Sequence, residues 1–158
     1  MDDPLSESLR LIDRLNREGV EYIVIGGMAM NAHGLIRATE DLDLLVRPED
    51  QNIDRLRRAL KAVWTDPDID QITSDDLCGP YPVIRYGPPE GTLYIDILAR
   101  IGDVATYDDV EVSVVTLGGV QVRVASPQAL FHLKRSTVRP IDAADANALQ
   151  HAFDLEED

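Results

Sequence analysis

Residues 22–46 read YIVIGGMAMNAHGLIRATEDLDLLV, and this stretch decides the fold. Tyr22 to Ile25 is an apolar run of strand length that meets a Gly26-Gly27 turn. A short helix-like stretch beginning near Met28 follows and ends near Gly34; Arg37 and Thr39 then precede a second strand carrying Asp41 and Asp43. Strand side chains alternate between faces, so residues two apart point the same way. Asp41 and Asp43 therefore project from one face, about 6–7 Å apart along the strand. Leu42, Leu44 and Val46 take the opposite face and hold the strand in a core. Two carboxylates at that spacing are tolerated at a strand end where cations sit between them.

Gly26 and Gly27 lack Cβ atoms, so their backbone N–H groups can approach a phosphate. A helix starting at Met28 would add a favourable dipole. A tight strand-to-helix turn explains the same pair without any ligand, but two acids fifteen residues on favour the phosphate. The stretch is neither a P-loop nor a GxGxxG fingerprint.

Outward from this block, residues 81–86 and 92–98 read as two strands joined by GPPEG. Asp96 lies between Ile95 and Ile97 and so faces away from them. An acid in an otherwise apolar strand is costly unless it is paired, metal-bound or open to a cleft, the alternative being a half-exposed sheet face. Residues 110–115 and 120–125 alternate as a second hairpin around Leu117-Gly118-Gly119.

Helices flank these strands. Leu5, Leu9, Ile12 and Leu15 space a helix over 5–18 that Gly19 stops. A second runs from Pro48 to about Trp64 on a stripe of Ile53, Leu56, Leu60 and Val63, with Arg55, Arg57, Arg58 and Lys61 on its remaining surface. That basic face could meet RNA or simply be solvated. Ser126 and Pro127 suit the N-cap and first position of a third, on which Leu130 and Leu133 pack and Lys134 lies one turn beyond Leu130. Asp142 opens a last helix packed through Ala146, Leu149 and Phe153, with Asp142 and Asp145 at capping spacing. Residues 66–76 tempt a calcium reading, but the sixth and twelfth places hold Gln71 and Leu77, so the stretch reads as an acidic surface loop. His33 has no assigned role.

The 158 residues are expected to form one domain over 1–158. The longest apolar stretch is interrupted by two glycines and too short to span a bilayer, and no secretory pattern opens the chain. The lone Cys78 excludes an internal disulfide and suits a reducing compartment; a cytoplasmic protein is expected. The net charge of −14 argues against a broad nucleic-acid surface, though not against a local basic groove.

The first block, Gly26-Gly27, Arg37, Thr39 and Asp41-Leu42-Asp43, resembles the nucleotidyltransferase superfamily that includes DNA polymerase β, and more closely its small bacterial AbiEii/MenT-type group. That group's pattern is a Gly-Gly turn, a short helix and Arg-x-Thr-x-Asp-hydrophobic-Asp. The tail from Ser126 through Lys134 to Arg139-Pro140, Asp142 and Asp145 is similar to the group's Ser-x-x-x-Leu-x-x-x-Lys…Arg-Pro-x-Asp-x-x-Asp. Ile141 departs from the basic residue often found there. The likeness covers about residues 20–150. It implies an α/β (α+β) nucleotidyltransferase fold, a mixed, mostly antiparallel sheet flanked by helices. It implies Asp41, Asp43 and Asp96 as catalytic carboxylates holding two Mg²⁺ or Mn²⁺ ions, with an NTP as substrate. Gly26, Gly27 and Lys134 would contact its phosphates. Arg37 either contacts the triphosphate, orders the acids or is a surface residue; Thr39 bonds the loop backbone. Asp142 and Asp145 are possible additions to the site, although capping alone explains Asp142.

The implied reaction moves an NMP onto an acceptor hydroxyl. MenT-type resemblance implies tRNA, in a toxin–antitoxin system with a cognate antitoxin or toxin. A small-molecule acceptor, as in antibiotic nucleotidyltransferases, suits an acidic protein, and a protein acceptor is also open. From another class, the chain could be a non-catalytic nucleotide-binding or toxin–antitoxin partner module; the intact acids weigh against it and Ile141 for it.

Overall fold

The computed structural model describes residues 3–35, 41–79, 82–102, 105–135 and 140–155, with the backbone alone at 134–135 and 140–145. Helix α1 (Pro4–Glu18) begins where Asp3 accepts a hydrogen bond from the Ser6 N–H at 2.8 Å. It ends at Gly19, whose φ of 71° closes the left-handed cap. Its buried stripe is wider than a single row and is rotated from the expected one. Ser8, Leu11, Ile12 and Leu15 are buried, while Leu5 is 46% exposed. The helix lies against both α3 and β8, so it must be apolar over two adjoining faces.

The chain continues through β1 (Tyr22–Ile25), α2 (Gly26–Ala32), β2 (Asp41–Val46), α3 (Asp50–Val63), a 3-10 turn (Pro67–Gln71) and α4 (Ser74–Leu77). Strands β3 (Val83–Tyr86), β4 (Tyr94–Leu98), β5 (Arg100–Ile101) and β6 (Ala105–Thr106) follow, then a 3-10 turn (Tyr107–Asp109), β7 (Val112–Leu117), β8 (Val120–Ala125), α5 (Pro127–Arg135) and α6 (Pro140–Phe153).

Among the described residues, six strands form one sheet in the order β3-β4-β2-β1-β8-β7. The β2–β4 and β1–β8 pairs are parallel and the β3–β4, β1–β2 and β7–β8 pairs antiparallel, the mixed, mostly antiparallel sheet expected. Strands β5 and β6 make a separate ribbon. Central β1 is buried throughout, and so are Leu42, Leu44, Leu45 and Val46 of β2.

Three local expectations change. The glycine pair does not precede α2 but forms its first turn. The 66–76 segment is helical rather than an open loop: Asp66 and Thr73 cap its two short helices, and Ile69, Ile72 and Leu77 anchor them in the core. The last helix starts at Pro140, two residues before Asp142, because proline fits the first helical turn. The expected cap at α5 is present, with the Ala129 N–H donating to Ser126 Oγ at 3.1 Å. No helix among the described residues is long and apolar enough to cross a membrane.

Three of the four cations of α3 pair with neighbouring acids. Arg57 pairs with Asp54 and donates to the Ile72 carbonyl, Arg58 Nε lies 3.1 Å from Glu18, and Lys61 pairs with Asp70. Asn52, on the buried side of the same helix, fixes the outer ends of β1 and β2. Its Oδ1 accepts from the Glu21 N–H at 2.7 Å, and its Nδ2 donates to the carbonyls of Glu21 and Arg47 at 3.0 and 2.9 Å. Asn52→Ala leaves these groups unsatisfied where Asn52 itself is 4% exposed. It should lower unfolding free energy by about 2–3 kcal/mol in urea titration, since each stranded buried group costs roughly 1–3 kcal/mol. A loss within error would show that water replaces the amide.

Candidate active site

The registers across four strands place Ile25, Asp43, Asp96 and Arg85 in one row. Residues directly opposite on paired strands share a face, so Asp43, Asp96 and Arg85 project together. Asp41 lies two residues before Asp43, opposite Tyr94, on the same face. The other face carries Leu42, Leu44, Ile95 and Ile97, all fully buried. The alternation predicted for both acidic strands is what points their carboxylates outward together.

Asp43 packs against the junction of β1 and α2. A Cβ built on Gly26 would overlap Asp43 Oδ2, and Gly26 has φ 74°, a left-handed conformation that side chains disfavour. Glycine is therefore required at 26 on two separate grounds, one of them contact with an acid of the row.

Arg85 on β3 reaches across the acids. Its Nε donates to Asp96 Oδ1 at 2.9 Å, and its Nη2 donates to Asp41 Oδ2 at 3.2 Å and more weakly to Asp96 Oδ2 at 3.4 Å. The guanidinium carbon stands 4.6 Å above the Tyr94 ring centroid. Asp96, with Asp41 behind it, raises the Arg85 pKa beyond its usual high value, so the guanidinium stays charged. Arg85 is the residue that the sequence reading missed. It interrupts an apolar strand just as Asp96 does, which is the same signal, but only the β3–β4 register brings the two together.

Asp41, Asp43 and Asp96 are thus brought onto one face, with Gly26 against Asp43 and Gly27 in the first turn of α2. Arg37 and Thr39 lie outside the described residues. Lys134 is on α5, and Asp142 and Asp145 on α6, but their side chains lie outside the described residues. His33 has a structural role: it ends α2, its Nε2 lies 2.8 Å from the Ala125 carbonyl, and its ring meets Phe153 edge-on at 5.8 Å.

Three carboxylates are hard oxygen donors of the kind that hold Mg²⁺ or Mn²⁺, so the donor chemistry fits such an ion. As the side chains stand, no three His, Cys, Asp or Glu residues among those described converge on one point. The guanidinium of Arg85 lies between two of the acids.

The chain matches the family described as nucleotidyl transferase AbiEii toxin, type IV toxin–antitoxin system, over residues 10–156. It belongs to that family. The AbiEii assignment makes the chain a transferase of the nucleotidyltransferase class. Curated protein sequences give no match. Among solved structures, a Thermotoga maritima protein with a provisional nucleotidyltransferase assignment is 16% identical with a TM-score of 0.51, covering 95% of this chain and 92% of that one. The aminoglycoside nucleotidyltransferase ANT(2″)-Ia, solved with adenylyl-2″-tobramycin, is 17% identical with a TM-score of 0.56, covering 94% and 89%. At these identities the two structures share the fold of this AbiEii chain.

The double requirement at Gly26 can be separated with Gly19, which has φ 71° but nothing within 4 Å of a built Cβ. Gly19→Ala should cost about 1–2 kcal/mol for the left-handed backbone alone. Gly26→Ala should cost at least about 1 kcal/mol more in thermal or urea unfolding, because the methyl must displace Asp43. Equal losses for the two variants would remove the contact as a cause.

Proposed function

We propose that this chain transfers an NMP from an NTP to an acceptor hydroxyl, with release of pyrophosphate, on the face formed by Asp41, Asp43 and Asp96. The observation that carries the reading is the register of Asp43 with Asp96 across parallel β2 and β4, with Asp41 on the same face. Three carboxylates sharing a solvent-open face repel one another unless cations join them, and a site that must accommodate a triphosphate's cations needs that arrangement. Asp41, Asp43 and Asp96 would hold the metal. Bound Mg²⁺ or Mn²⁺, two ions in this reading, supplies neutralisation of the triphosphate and acidification of the acceptor hydroxyl. Asp96 accepts the hydroxyl proton at its carboxylate. Gly26 and Gly27 would present backbone N–H groups at the start of α2 to the phosphates, and Arg37 and Lys134 would add cationic contacts. Thr39, Asp142 and Asp145 would be further members of the site in this reading. Catalysis then rests on positioning and charge neutralisation.

For the acceptor, α3 gives a specific observation. Arg57, Arg58 and Lys61 each pair with a neighbouring acid, which leaves this helix less positive charge to offer an RNA such as tRNA. A small, cationic acceptor suits a chain of net charge −14. The ANT(2″)-Ia structure, carrying an adenylylated aminoglycoside on a shared fold, supports the same direction. A tRNA acceptor would require a cationic surface from elsewhere or from a partner protein. The family's toxin–antitoxin context makes the cognate antitoxin or toxin the natural choice. A protein acceptor would be distinguished by the position of the label.

Asp43→Ala should reduce transfer from α-labelled NTP in Mg²⁺ or Mn²⁺ by at least about a hundredfold, while its circular dichroism and melting stay near wild type. Total RNA, protein lysate and an aminoglycoside panel would be supplied in turn as acceptor. Transfer by the variant at the wild-type rate would sink the assignment. Nucleotide binding by wild type with no label on any acceptor would instead favour the non-catalytic binding or partner module.

A further inference from the structure

We propose that Arg85 is an exchangeable counter-cation that competes with divalent metal for Asp41 and Asp96. The inference rests on the metal-holding role given to these acids above, and it concerns a residue outside that set. Arg85 touches both carboxylates, through Nε and Nη2, at 2.9–3.4 Å. A cation already bonded to two of three prospective ligand side chains must leave at least one of them before those oxygens can converge on a metal.

The geometry makes that departure inexpensive. The side chains of Arg85 and Asp41 are 53% and 43% exposed, and Asp96 is 21% exposed. Ion pairs so open to water are weakly held and readily exchanged. Arg85 also has somewhere to stay. Its guanidinium lies over the Tyr94 ring, and that ring is itself packed on Gly87, where a built Cβ would meet Tyr94 Cε1 at 3.1 Å. Stacking on Tyr94 restrains the arginine beside the acids whether or not it is bonded to them. The fork that leaves the carboxylates is then free for an anionic group at the same face, which guanidinium binds bidentately.

The competition has a sign opposite to that of a purely supportive residue. If Arg85 merely positioned the acids, removing it would weaken metal binding. If it competes, removal lifts one positive charge from beside the ion and strengthens binding. A unit charge a few ångströms away in a solvent-exposed setting corresponds to about tenfold in affinity.

The test is Mn²⁺ binding to the nucleotide-free full chain, followed by calorimetry and by the electron paramagnetic resonance of free Mn²⁺. Wild type, Arg85→Gln, Asp43→Asn and the double variant would be compared at low ionic strength. Arg85→Gln should bind Mn²⁺ about tenfold tighter than wild type, and Asp43→Asn should weaken binding in both backgrounds. In the chelator EDTA, Arg85→Gln should melt below wild type because Asp41 and Asp96 lose one counter-charge. Saturating Mn²⁺ should raise its melting temperature more than it raises that of wild type. Wild-type binding that depends on Asp43 but is unchanged or weakened in Arg85→Gln overturns the competition and leaves the site reading standing. No Asp43-dependent Mn²⁺ binding in either background overturns both. The EDTA melts report whether the variant is folded, so a folding defect is not mistaken for lost affinity.

Discussion

Asp43 and Asp96 stand opposite one another on parallel strands, and the chain must hold two like charges there without splaying the sheet. It does so by burying the rest of each strand. Leu42 and Leu44 flank Asp43, and Ile95 and Ile97 flank Asp96, each fully buried. Burial of one such side chain contributes roughly 1.5–3 kcal/mol. Repulsion between these half-buried carboxylates is weakened by water and salt and by Arg85 on Asp96, so the apolar face wins and the register stays. β1 closes the other side of β2, pairing Ile25 with Asp43, and the outer ends of β1 and β2 are tied together by Asn52. The acids are therefore a passenger of the packing. Their chemistry can be altered with little effect on the fold, whereas the leucines cannot be altered without losing the site.

Gly26 belongs to the same constraint. Strand β1 must turn into α2 within one residue while passing the Asp43 carboxylate, so the chain takes a left-handed step where a methyl would not fit. Viewed only as a flexible or phosphate-friendly residue, Gly26 has an incomplete explanation. Its side-chain position is filled by an acid of the row, and a substitution there would disturb the row from behind through the position of Asp43.

Much of this was legible from the chain because the signals were short-range. The period-2 alternation in DLDLLV and YIDIL gave the facing of the acids, and Ser126-Pro127 and Gly118-Gly119 gave a helix start and a hairpin turn. What escaped depended on distant partners. The stripe of α1 was misplaced because the helix packs on two elements at once, bringing Leu11 into the core and leaving Leu5 out. The 66–76 segment read as a loop because its acids are numerous, yet three apolar residues and two side-chain caps decide its form. Arg85 escaped because no local pattern links VIRY to YIDIL; only the antiparallel register sets Arg85 against Asp96. The same limit holds for α3, whose basic face reads as either solvated or RNA-facing: only the fold sets Arg58 against Glu18 and Lys61 against Asp70.

Charge arithmetic at the acidic face then explains why one arginine cannot be the whole answer. Asp41, Asp43 and Asp96 present three formal negative charges, and Arg85 returns one positive charge to two of them. On the proposed reading a triphosphate would bring several more negative charges to the same face, and the chain as a whole, at −14, offers no background attraction. Beyond about 8 Å that background is screened, so the balance is decided by cations in direct contact. Two outcomes are then open to Arg85. If it remains on the carboxylates, it leaves the phosphates without that fork. If it moves to the phosphates, Asp41 and Asp96 give up one positive charge that a metal would replace. The second arrangement is the one in which both the phosphates and the carboxylates would keep a cation in contact. It also accounts for an arginine here in place of a lysine: a planar fork held on Tyr94 can exchange one pair of oxygens for another without leaving the site.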